Sequence, residues 1–316
     1  MSTVGKKLLA VFGATGNQGY SVASTALSDP ELSQRYSVRA VARSTASPKM
    51  ADLAARGASL AAADMDAPET LGPALEGADT LFFLTTTQYQ GRTREVETRQ
   101  AKAVCEAALA AGVSYIIWSS MSHPAVLSGG KYKNVEHFDD KAEVELYIRG
   151  LPVRSSFFAP ASFMQNLMGT AMRPQPSRDG DGDFVLANCM HPHARVPFID
   201  ITESGKWVGA ILADPDRYAG KQFAAASEIL SMDEVVRIVS RVTGKTVRYQ
   251  KVPDEVFKGF MPEGLRQQLY EMWAFNRDFG YYGASMDEDV AWARENARGE
   301  LTGLEAFLRK HDYKLE

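Results

Sequence analysis

Three glycines near the start of the chain constrain its fold more than any other feature. The apolar run 8–12 is typical of a strand buried on both faces, and residues 17–27 are typical of a helix. The turn between them has glycine at positions 13, 16 and 19. The first glycine permits a tight turn, the second admits backbone N–H groups to a pyrophosphate, and the third lets helix and strand pack closely. The pattern predicts a dinucleotide-binding turn that opens an α/β domain.

An ordinary strand-to-helix turn can contain three glycines by chance, but the position inside a βαβ unit favours phosphate binding. The helix N-terminus adds partial positive charge to such a site. A phosphate-loop NTPase is excluded because the sequence contains no GxxxxGK[ST]. The predicted cofactor-binding residues of the turn are Gly13, Thr15, Gly16, Asn17, Gln18 and Gly19.

Strand-like and helix-like segments alternate through the first half of the chain. After the first strand, further strands are predicted over residues 38–42, 58–63, 80–84, 113–118 and 153–158. Further helices between them are predicted over 92–111 and 139–149. This alternation is typical of parallel βαβ units. We expect an α/β fold: a Rossmann-type doubly wound parallel sheet with a smaller, mostly C-terminal α/β lobe.

The second half is less regular and supplies the predicted lobe. We assign residues 1–158 to the Rossmann-type domain, with 200–226 returning to it, and residues 159–199 and 227–316 to the lobe. One aromatic group is expected to form lobe core or, alternatively, an apolar substrate pocket. Its members are Trp273, Phe275, Phe279, Tyr281 and Tyr282.

Three helix starts carry capping signals. Asp66 lies two residues before Pro68, which suits the first position of a helix. Ser231 and Thr302 each precede a glutamate by three residues. That spacing predicts capping boxes, in which side chains satisfy the free N–H groups of a helix start.

Composition narrows the classes of partner and compartment. The net charge is −4 and basic residues do not cluster beyond short runs such as 131–133, which argues against a direct nucleic-acid partner. No apolar run approaches the roughly 18 residues of a membrane span, so no membrane association is expected. Cys105 and Cys189 are too few for a disulfide framework, so we expect a reducing compartment, cytoplasmic or nuclear.

Residues that follow the predicted strands supply further candidates, because open α/β sheets bind ligands at the carboxyl ends of their strands. Arg43 follows the second strand, where an acidic residue would bind a free ribose hydroxyl and an arginine accommodates a 2′-phosphate. This favours NADP(H) over NAD(H), unless Arg43 is merely a solvated charge. Asp64 and Met65 are expected near the adenine, and Thr85 and Thr86 on the path to the nicotinamide.

Four stretches of sequence, 11–19, 137–145, 160–166 and 279–283, together span nearly the whole chain. In combination they resemble the NmrA-like family of atypical short-chain dehydrogenase/reductases. The resemblance implies a Rossmann-type domain and a lobe, with the nicotinamide end of the cofactor in the cleft between them. It adds Phe163 and Asn166 to the candidate cofactor-binding residues. It also implies two roles: some relatives are NADP(H)-binding, redox-responsive regulators that act through protein partners, and more distant ones are reductases.

Typical short-chain dehydrogenases pair a tyrosine with a lysine four residues later, and the tyrosine passes a proton to the substrate. Lys141 is the lysine that this resemblance identifies, but His137 occupies the tyrosine position. Tyr132 lies nine residues before Lys141, so the two cannot share a helical turn. Lys141 is therefore a cofactor ligand only, or a general acid if burial lowers its pKa. His137 is a partly exposed helix-start residue or a proton-transfer group near neutral pH.

Ser120, with its neighbours Ser119 and Ser122, follows the fifth strand, where the superfamily places a substrate-polarising serine. Serines are also common in ordinary loops. The five histidines show no metal-ligand spacing, so no metal is expected.

Two hypotheses follow from these residues. The favoured one is an NADP(H)-binding regulator whose cofactor occupancy changes its contact with a protein partner. The alternative is an NADPH-dependent reductase of a carbonyl or imine small molecule, using Lys141 with His137 or Ser120 as a helper. Both share one fold and one cofactor.

Overall fold

The computed structural model describes residues 5–87, 91, 93–180 and 182–315. Its strands are β1 Lys7–Phe12, β2 Tyr36–Ala42, β3 Ser59–Ala62, β4 Thr80–Phe83, β5 Tyr115–Ser119, β6 Arg154–Pro160, β7 Ser162–Phe163, β8 Gln175–Pro176, β9 Phe184–Asn188, β10 Arg195–Ile199, β11 Gln222–Ala225, β12 Glu228–Ser231 and β13 Val247–Lys251. Its α-helices are α1 Asn17–Ser28, α2 Leu32–Arg35, α3 Pro48–Ala55, α4 Leu71–Leu75, α5 Thr93–Ala110, α6 Pro124–Leu127, α7 Glu136–Arg149, α8 Ser204–Ala213, α9 Pro215–Tyr218, α10 Met232–Thr243, α11 Asp254–Lys258, α12 Arg266–Phe279, α13 Met286–Glu295 and α14 Leu304–Lys310. Short 3₁₀ segments cover Pro68–Thr70, Met164–Leu167, Ile201–Glu203 and Glu263–Leu265.

Seven strands form one sheet in the order β11–β6–β5–β4–β1–β2–β3. All of its strand pairs are parallel, and β1 lies between β2 and β4. The strand order therefore reverses beside β1, which is the switch point where open α/β sheets bind ligands. The predicted Rossmann-type parallel sheet is confirmed.

Side chains of the central strands alternate between two apolar layers. Leu9 and Val11 of β1 lie in the core on one face of the sheet, and Ala10 and Phe12 lie in the core on the other. All four are buried. A strand covered by helices on both faces needs apolar residues at every position, which explains the continuous apolar run in the sequence.

Helix α8 packs closely on α1 and so brings the chain after residue 200 back to the sheet. A Cβ atom added at Gly205 would lie 2.1 Å from Thr25 Oγ1 and 2.5 Å from the carbonyl oxygen of Ser21. The Gly205 N–H donates to Ser21 Oγ at 2.9 Å. The close approach of the two helices therefore depends on the missing side chain at position 205.

Two small sheets lie outside the large one, with the orders β12–β10–β7 and β13–β9–β8. They share a separate apolar core with α10 and α14, to which Val235 and Phe307 belong. The predicted smaller α/β lobe is confirmed. The exact domain boundaries stay a prediction. Within the segment 200–226, β11 pairs with β6 of the large sheet. No helix of the described residues is long and apolar enough to cross a membrane.

The capping box at Ser231 is confirmed. Its Oγ accepts from the Glu234 N–H at 3.2 Å, and the Glu234 carboxylate accepts from the Ser231 N–H at 2.8 Å. The capping box predicted at Thr302 is wrong, because Gly303 is the N-cap of α14. The Thr302 hydroxyl instead donates to the Glu203 carboxylate at 2.7 Å, a partner far away in the sequence.

The cap predicted at Asp66 is also wrong. The segment from Pro68 begins as a 3₁₀ turn that follows Ala67, with no side-chain cap. The Asp66 carboxylate accepts from Arg99 at 2.5 Å and from Gln100 at 3.0 Å. The Asp66 carboxylate therefore binds donors on α5 instead of the nearby backbone amides, and the local sequence does not show that these donors are close.

Candidate cofactor site

The carboxyl ends of β1 to β6 lie along one edge of the parallel sheet, because all these strands run the same way. The residues predicted after each strand therefore lie at the edge where open α/β sheets bind ligands, which we call the crevice, with the turn after β1 near its middle. The crevice has two ends, which we call the phosphate end and the lysine end. The phosphate end contains residues 13–19 and Arg43; the lysine end contains Lys141 and the side chains around it.

The turn after β1 has the geometry that a phosphate cradle requires. Gly13 has φ of +69°, which favours glycine, and its carbonyl accepts from the Gly16 N–H at 2.8 Å. A Cβ atom added at Gly19 would lie 2.3 Å from that same Gly13 oxygen and 2.7 Å from the Phe12 oxygen. Glycine at position 19 is therefore what allows α1 to start directly above β1.

The first turn of α1 presents free backbone donors. An α-helix leaves its first N–H groups without intrahelical partners, and Gly16 at the N-cap supplies no side-chain acceptor. Thr15, Gly16 and Asn17 are exposed. The backbone fits a pyrophosphate at this point, because an anion can accept from the first N–H groups of α1 and benefits from the helix dipole.

Gln18 has a second role that the sequence did not predict. Its side-chain oxygen accepts from Ser119 Oγ, at the end of β5, at 2.7 Å. This hydrogen bond joins the phosphate turn to the end of β5, which is two strands away from β1 in the sheet. Gln18 thus braces the cradle whatever its backbone contributes to a ligand.

Arg43 is exposed at the end of β2 and its charge helps to lower the pKa of Asp66, after the larger effects of Gln100 and Arg99. An acidic group therefore lies near Arg43, although it comes from the loop after β3.

The two candidates after β3 are held within their own loop and against the core. The Asp64 carboxylate accepts from the Asp66 N–H at 3.0 Å, and Met65 is half-buried against the core. Asp64 is thus fixed to its own loop.

Lys141 lies at the other end of the crevice in an enclosed polar cluster. Its Nζ contacts the carboxylate of Glu97, and it lies 3.3 Å from Thr87 Oγ1 and 3.5 Å from Thr85 Oγ1. Thr85 also donates to the Glu97 carboxylate. The lysine side chain is 13% exposed and the glutamate side chain 1%. Thr86, by contrast, is exposed and has no part in this cluster.

Glu97 and Thr87 were missed by the sequence reasoning. A signal for Glu97 was present: it lies four residues before Ala101 and seven before Val104, on the face of α5 that is buried. A carboxylate at a core position of an amphipathic helix indicates a buried partner, because an isolated buried charge is very unfavourable. Thr87 gives no comparable signal in the sequence.

His137 is buried, so the prediction of a partly exposed residue is wrong. Its Nδ1 is 2.8 Å from Gln268 Nε2 on α12, and its ring packs against Phe138. Burial, with the nearby charge of Lys141, lowers the pKa of His137 to about 3. The imidazole is therefore neutral at pH 7, which disfavours proton donation by His137 near neutrality; its catalytic role stays a prediction.

The three serines after β5 differ in what their hydroxyls contact. Ser120 is fully buried and its Oγ lies 3.4 Å from the backbone oxygens of Lys141 and Met121, so it faces main chain rather than the crevice. Ser119 is bound to Gln18. Ser122 Oγ has no hydrogen-bond partner among the described residues. The candidate Ser120 is the least available of the three.

Tyr132 is held by helix α12. Its hydroxyl donates to the Asp278 carboxylate of α12 at 2.5 Å, and burial followed by this hydrogen bond raises its pKa. Asn134 binds Glu271 on the same helix through its N–H, at 2.8 Å, and its side-chain amide, at 2.6 Å. With His137, this makes three positions before Lys141 that are bound to α12.

The remaining candidates lie where the chain enters the lobe. Phe163 pairs with Ile199 in the β12–β10–β7 sheet and packs on the large core. Asn166 lies in the 3₁₀ turn Met164–Leu167, and its carbonyl accepts from Met172 at 3.0 Å. The prediction of the aromatic group as lobe core is mostly wrong: Phe275, Tyr281 and Tyr282 are buried in the large core and Phe279 packs against it, whereas Trp273 belongs to the lobe core.

No cluster of potential metal ligands occurs among the residues that the structure describes. His123 binds the buried Asp139 carboxylate at 2.7 Å, and His191 lies beside Lys251 at 3.3 Å. His193 lies 3.5 Å from Asp233 on the surface. These three histidines thus each have a different polar neighbour and do not lie together.

The strand order and the glycine turn define a Rossmann-type α/β protein with a C-terminal lobe. The sequence model of the NmrA-like family matches residues 5–308, and the chain belongs to that family. An NmrA-like family domain-containing protein of Dictyostelium discoideum is 32% identical over 98% of this chain and 99% of its own length. The NmrA-like family domain-containing oxidoreductase FrzB of Cladobotryum sp is 30% identical over 78% of this chain and 76% of its own.

The fold is also similar to solved structures. NmrA, a negative transcriptional regulator solved in complex with NADP, is 25% identical, with a TM-score of 0.78 over 96% of this chain and 95% of that one. The same regulator has been solved with NAD, at 24% identity and a TM-score of 0.77 over the same shares of the two chains. The family therefore includes a regulator and an oxidoreductase.

Proposed function

We propose that this protein binds NAD(P)(H), with NADP(H) preferred, across the crevice described above. The pyrophosphate binds at the first turn of α1, Arg43 faces the adenosine 2′-phosphate, and Lys141 donates to the nicotinamide ribose. The free N–H groups of the first turn of α1, after the N-cap Gly16, and the close approach at Gly19 support this placement. The NADP and NAD complexes of NmrA support the ligand class.

The role we propose is that of a redox-responsive regulator that acts through a protein partner in the cytoplasm or nucleus. One observation carries it: Lys141 is paired with the buried Glu97 carboxylate, and His137, the group in the usual tyrosine position, is neutral and buried. Tyr132 is bound to Asp278. Groups able to bind cofactor are thus present, while groups suited to donate a proton to a substrate are engaged elsewhere.

A route from cofactor to partner is supported by α12. Its residues Gln268, Glu271 and Asp278 bind the segment 132–137 that leads into α7 and Lys141. A cofactor that shifts Lys141 would therefore act on a helix of the lobe. A difference in binding free energy between oxidised and reduced cofactor is then available to change partner affinity.

The test is calorimetric titration with NAD, NADH, NADP and NADPH, followed by a screen of carbonyl and imine substrates at 340 nm. We expect NADP or NADPH to bind tighter than the unphosphorylated forms, and no steady turnover. Sustained NADPH consumption with any substrate would contradict a purely regulatory role. Absence of binding by all four would reject the cofactor assignment.

A second candidate function is an NADPH-dependent reductase of a carbonyl or imine compound. The observation that favours it is the Ser122 hydroxyl, which is buried after β5 with no partner among the described residues. Lys141 would supply the charge near the substrate oxygen, and FrzB is an NmrA-like protein named as an oxidoreductase. Under this hypothesis Lys141→Ala abolishes turnover and Ser122→Ala reduces it, with the fold checked by circular dichroism.

A further inference from the structure

A buried carboxylate that the proposed binding mode does not use lies beside Lys141. Glu97 is in the second turn of α5 and its residue is fully buried. The neighbours on the same helix face are Gln100, Ala101 and Val104, so the carboxylate is set into an otherwise largely apolar surface. Such a group is stable only when it is paired.

The contacts of Glu97 fix the position of the lysine ammonium. One carboxylate oxygen contacts both Lys141 Nζ and the Thr85 hydroxyl, and Thr87 Oγ1 lies 3.3 Å from the same Nζ. The other oxygen of Glu97 has no hydrogen-bond partner among the described residues. Groups from α5 and from the loop after β4 thus hold the end of a long side chain that otherwise has many rotamers.

Other charged groups near this pair are committed elsewhere. Asp140, the residue before Lys141, accepts from Arg94 of α5 at 2.9 Å. His137 on α7 is neutral, and Thr85 and Thr87 carry no charge. Among the described groups that face the ammonium, Glu97 is therefore the counter-ion.

We propose that Glu97 is a positioning residue of this site: its carboxylate keeps Lys141 charged and aims its ammonium at the end of β4, where the nicotinamide ribose binds. The ribose contact rests on the proposed function, whereas the pairing itself does not. Without a carboxylate at position 97, burial favours the neutral amine, which is a poorer donor to the ribose hydroxyls.

The decisive variant is Glu97→Gln, which keeps the shape of the side chain and removes its charge. We expect NADPH affinity to fall about tenfold or more at pH 8, and to keep falling as pH rises toward 9, because the amine loses its proton. The parent protein is expected to vary less than about twofold over that range. Glu106→Gln, at an exposed position of the same helix, is the matched control and should bind as the parent does.

Two further variants allow the proposal to be rejected. Glu97→Asp retains the charge and should keep the parent's flat pH profile, even if Glu97→Gln does not fold. In a Lys141→Met background, Glu97→Gln should cause no further loss of affinity, because it acts through the lysine. Parental affinity and pH profile in folded Glu97→Gln, a steep profile in Glu97→Asp, or additive losses in the double variant would each overturn the proposal.

Lysine Cε resonances, assigned with Lys141→Met, separate this inference from the proposed function. In the cofactor-free protein, the Lys141 ammonium should lose its proton at lower pH in Glu97→Gln than in the parent. An unchanged titration would overturn the pairing even if cofactor binds. Absence of NADPH binding by the parent would instead reject the cofactor assignment and leave this titration to decide the pair.

Discussion

The two ends of the crevice are built in different ways. At the phosphate end, a run of seven consecutive residues forms the turn and the start of α1, whose first N–H groups are the donors, and glycines 13 and 19 make the shape possible. At the lysine end, Lys141 of α7 meets Glu97 of α5 and two threonines after β4, and α12 holds the segment before α7. The first end depends on local sterics; the second depends on side chains brought together by the whole fold.

This difference has an electrostatic consequence. Helix-end N–H dipoles do not titrate, so the phosphate end should bind in the same way over a wide pH range. The lysine end contains ionisable groups whose states depend on burial and on one another. Substitutions at the two ends should therefore differ in both the size and the pH dependence of their effects.

The largest effect is expected from Gly19→Ala. The added Cβ would lie 2.3 Å from the Gly13 oxygen, so α1 must move away from β1 and the cradle opens. We expect loss of measurable cofactor binding and a stability loss of about 3 kcal/mol or more. Calorimetry and urea unfolding measure the two effects. Gly72→Ala is the control, because an added Cβ there has no atom within 4 Å; equal behaviour of the two variants would contradict the close-packing argument.

Lys141→Met should have the next largest effect on stability. It leaves the Glu97 carboxylate, whose side chain is 1% exposed, without its counter-ion, at a cost of about 3 kcal/mol. Because Glu97 can escape that cost by taking up a proton, the loss should be smaller at pH 5 than at pH 8. Urea unfolding at both pH values tests this. Lys102→Met, at an exposed lysine of α5, should change little; a comparable loss there would show that the pairing is unimportant.

Arg43→Ala tests the contribution of a charged side chain at the phosphate end. Removing a charge-assisted contact to a 2′-phosphate should weaken NADPH binding by about 2 kcal/mol, roughly 30-fold, and change NADH binding little. The exposed Arg178 in the lobe provides the control Arg178→Ala. Equal losses of affinity for NADPH and NADH in Arg43→Ala would contradict a contact between Arg43 and the 2′-phosphate and would support the alternative that Arg43 is a solvated charge.

His137→Gln should have the smallest effect, seen as a change in pH dependence. The pKa of His137 is lowered to about 3, so between roughly pH 6.5 and 3 the unfolded chain binds a proton that the folded chain does not. Stability must fall as pH falls through that window, by up to about 1.4 kcal/mol per pH unit. The variant should lose this part of the acid sensitivity in unfolding measured at pH 7 and 5. His193→Gln, where the side chain is 90% exposed, should keep it; identical slopes in all three proteins would refute the buried neutral state.

Several parts of the structure could be predicted from the sequence because they depend on neighbouring residues. The apolar run before Gly13 indicated a strand covered on both faces, and the alternation of elements indicated the parallel sheet. The spacing of Ser231 and Glu234 indicated a capping box that the structure contains. The same pattern failed at Thr302, where Glu203 offers a stronger partner than the adjacent helix.

The lysine end shows which contacts could not be predicted from the sequence. Lys141 was found by family resemblance, but its partner Glu97 lies 44 residues earlier and on another helix. His137 owes its neutral state to burial beneath α12, whose Gln268 is 131 residues away. Nothing in the local sequence of α7 reports either contact, so the prediction of a partly exposed His137 was reasonable but wrong.

The sequence by itself determined the sheet, the glycine turn and the order of the strand ends, because hydrophobic periodicity and glycine sterics act over a few residues. The tertiary structure alone decided which ionisable groups are paired, buried and charged. The physical reason is that the charge state of a side chain depends on desolvation and on groups within a few ångströms, and these come from distant parts of the chain.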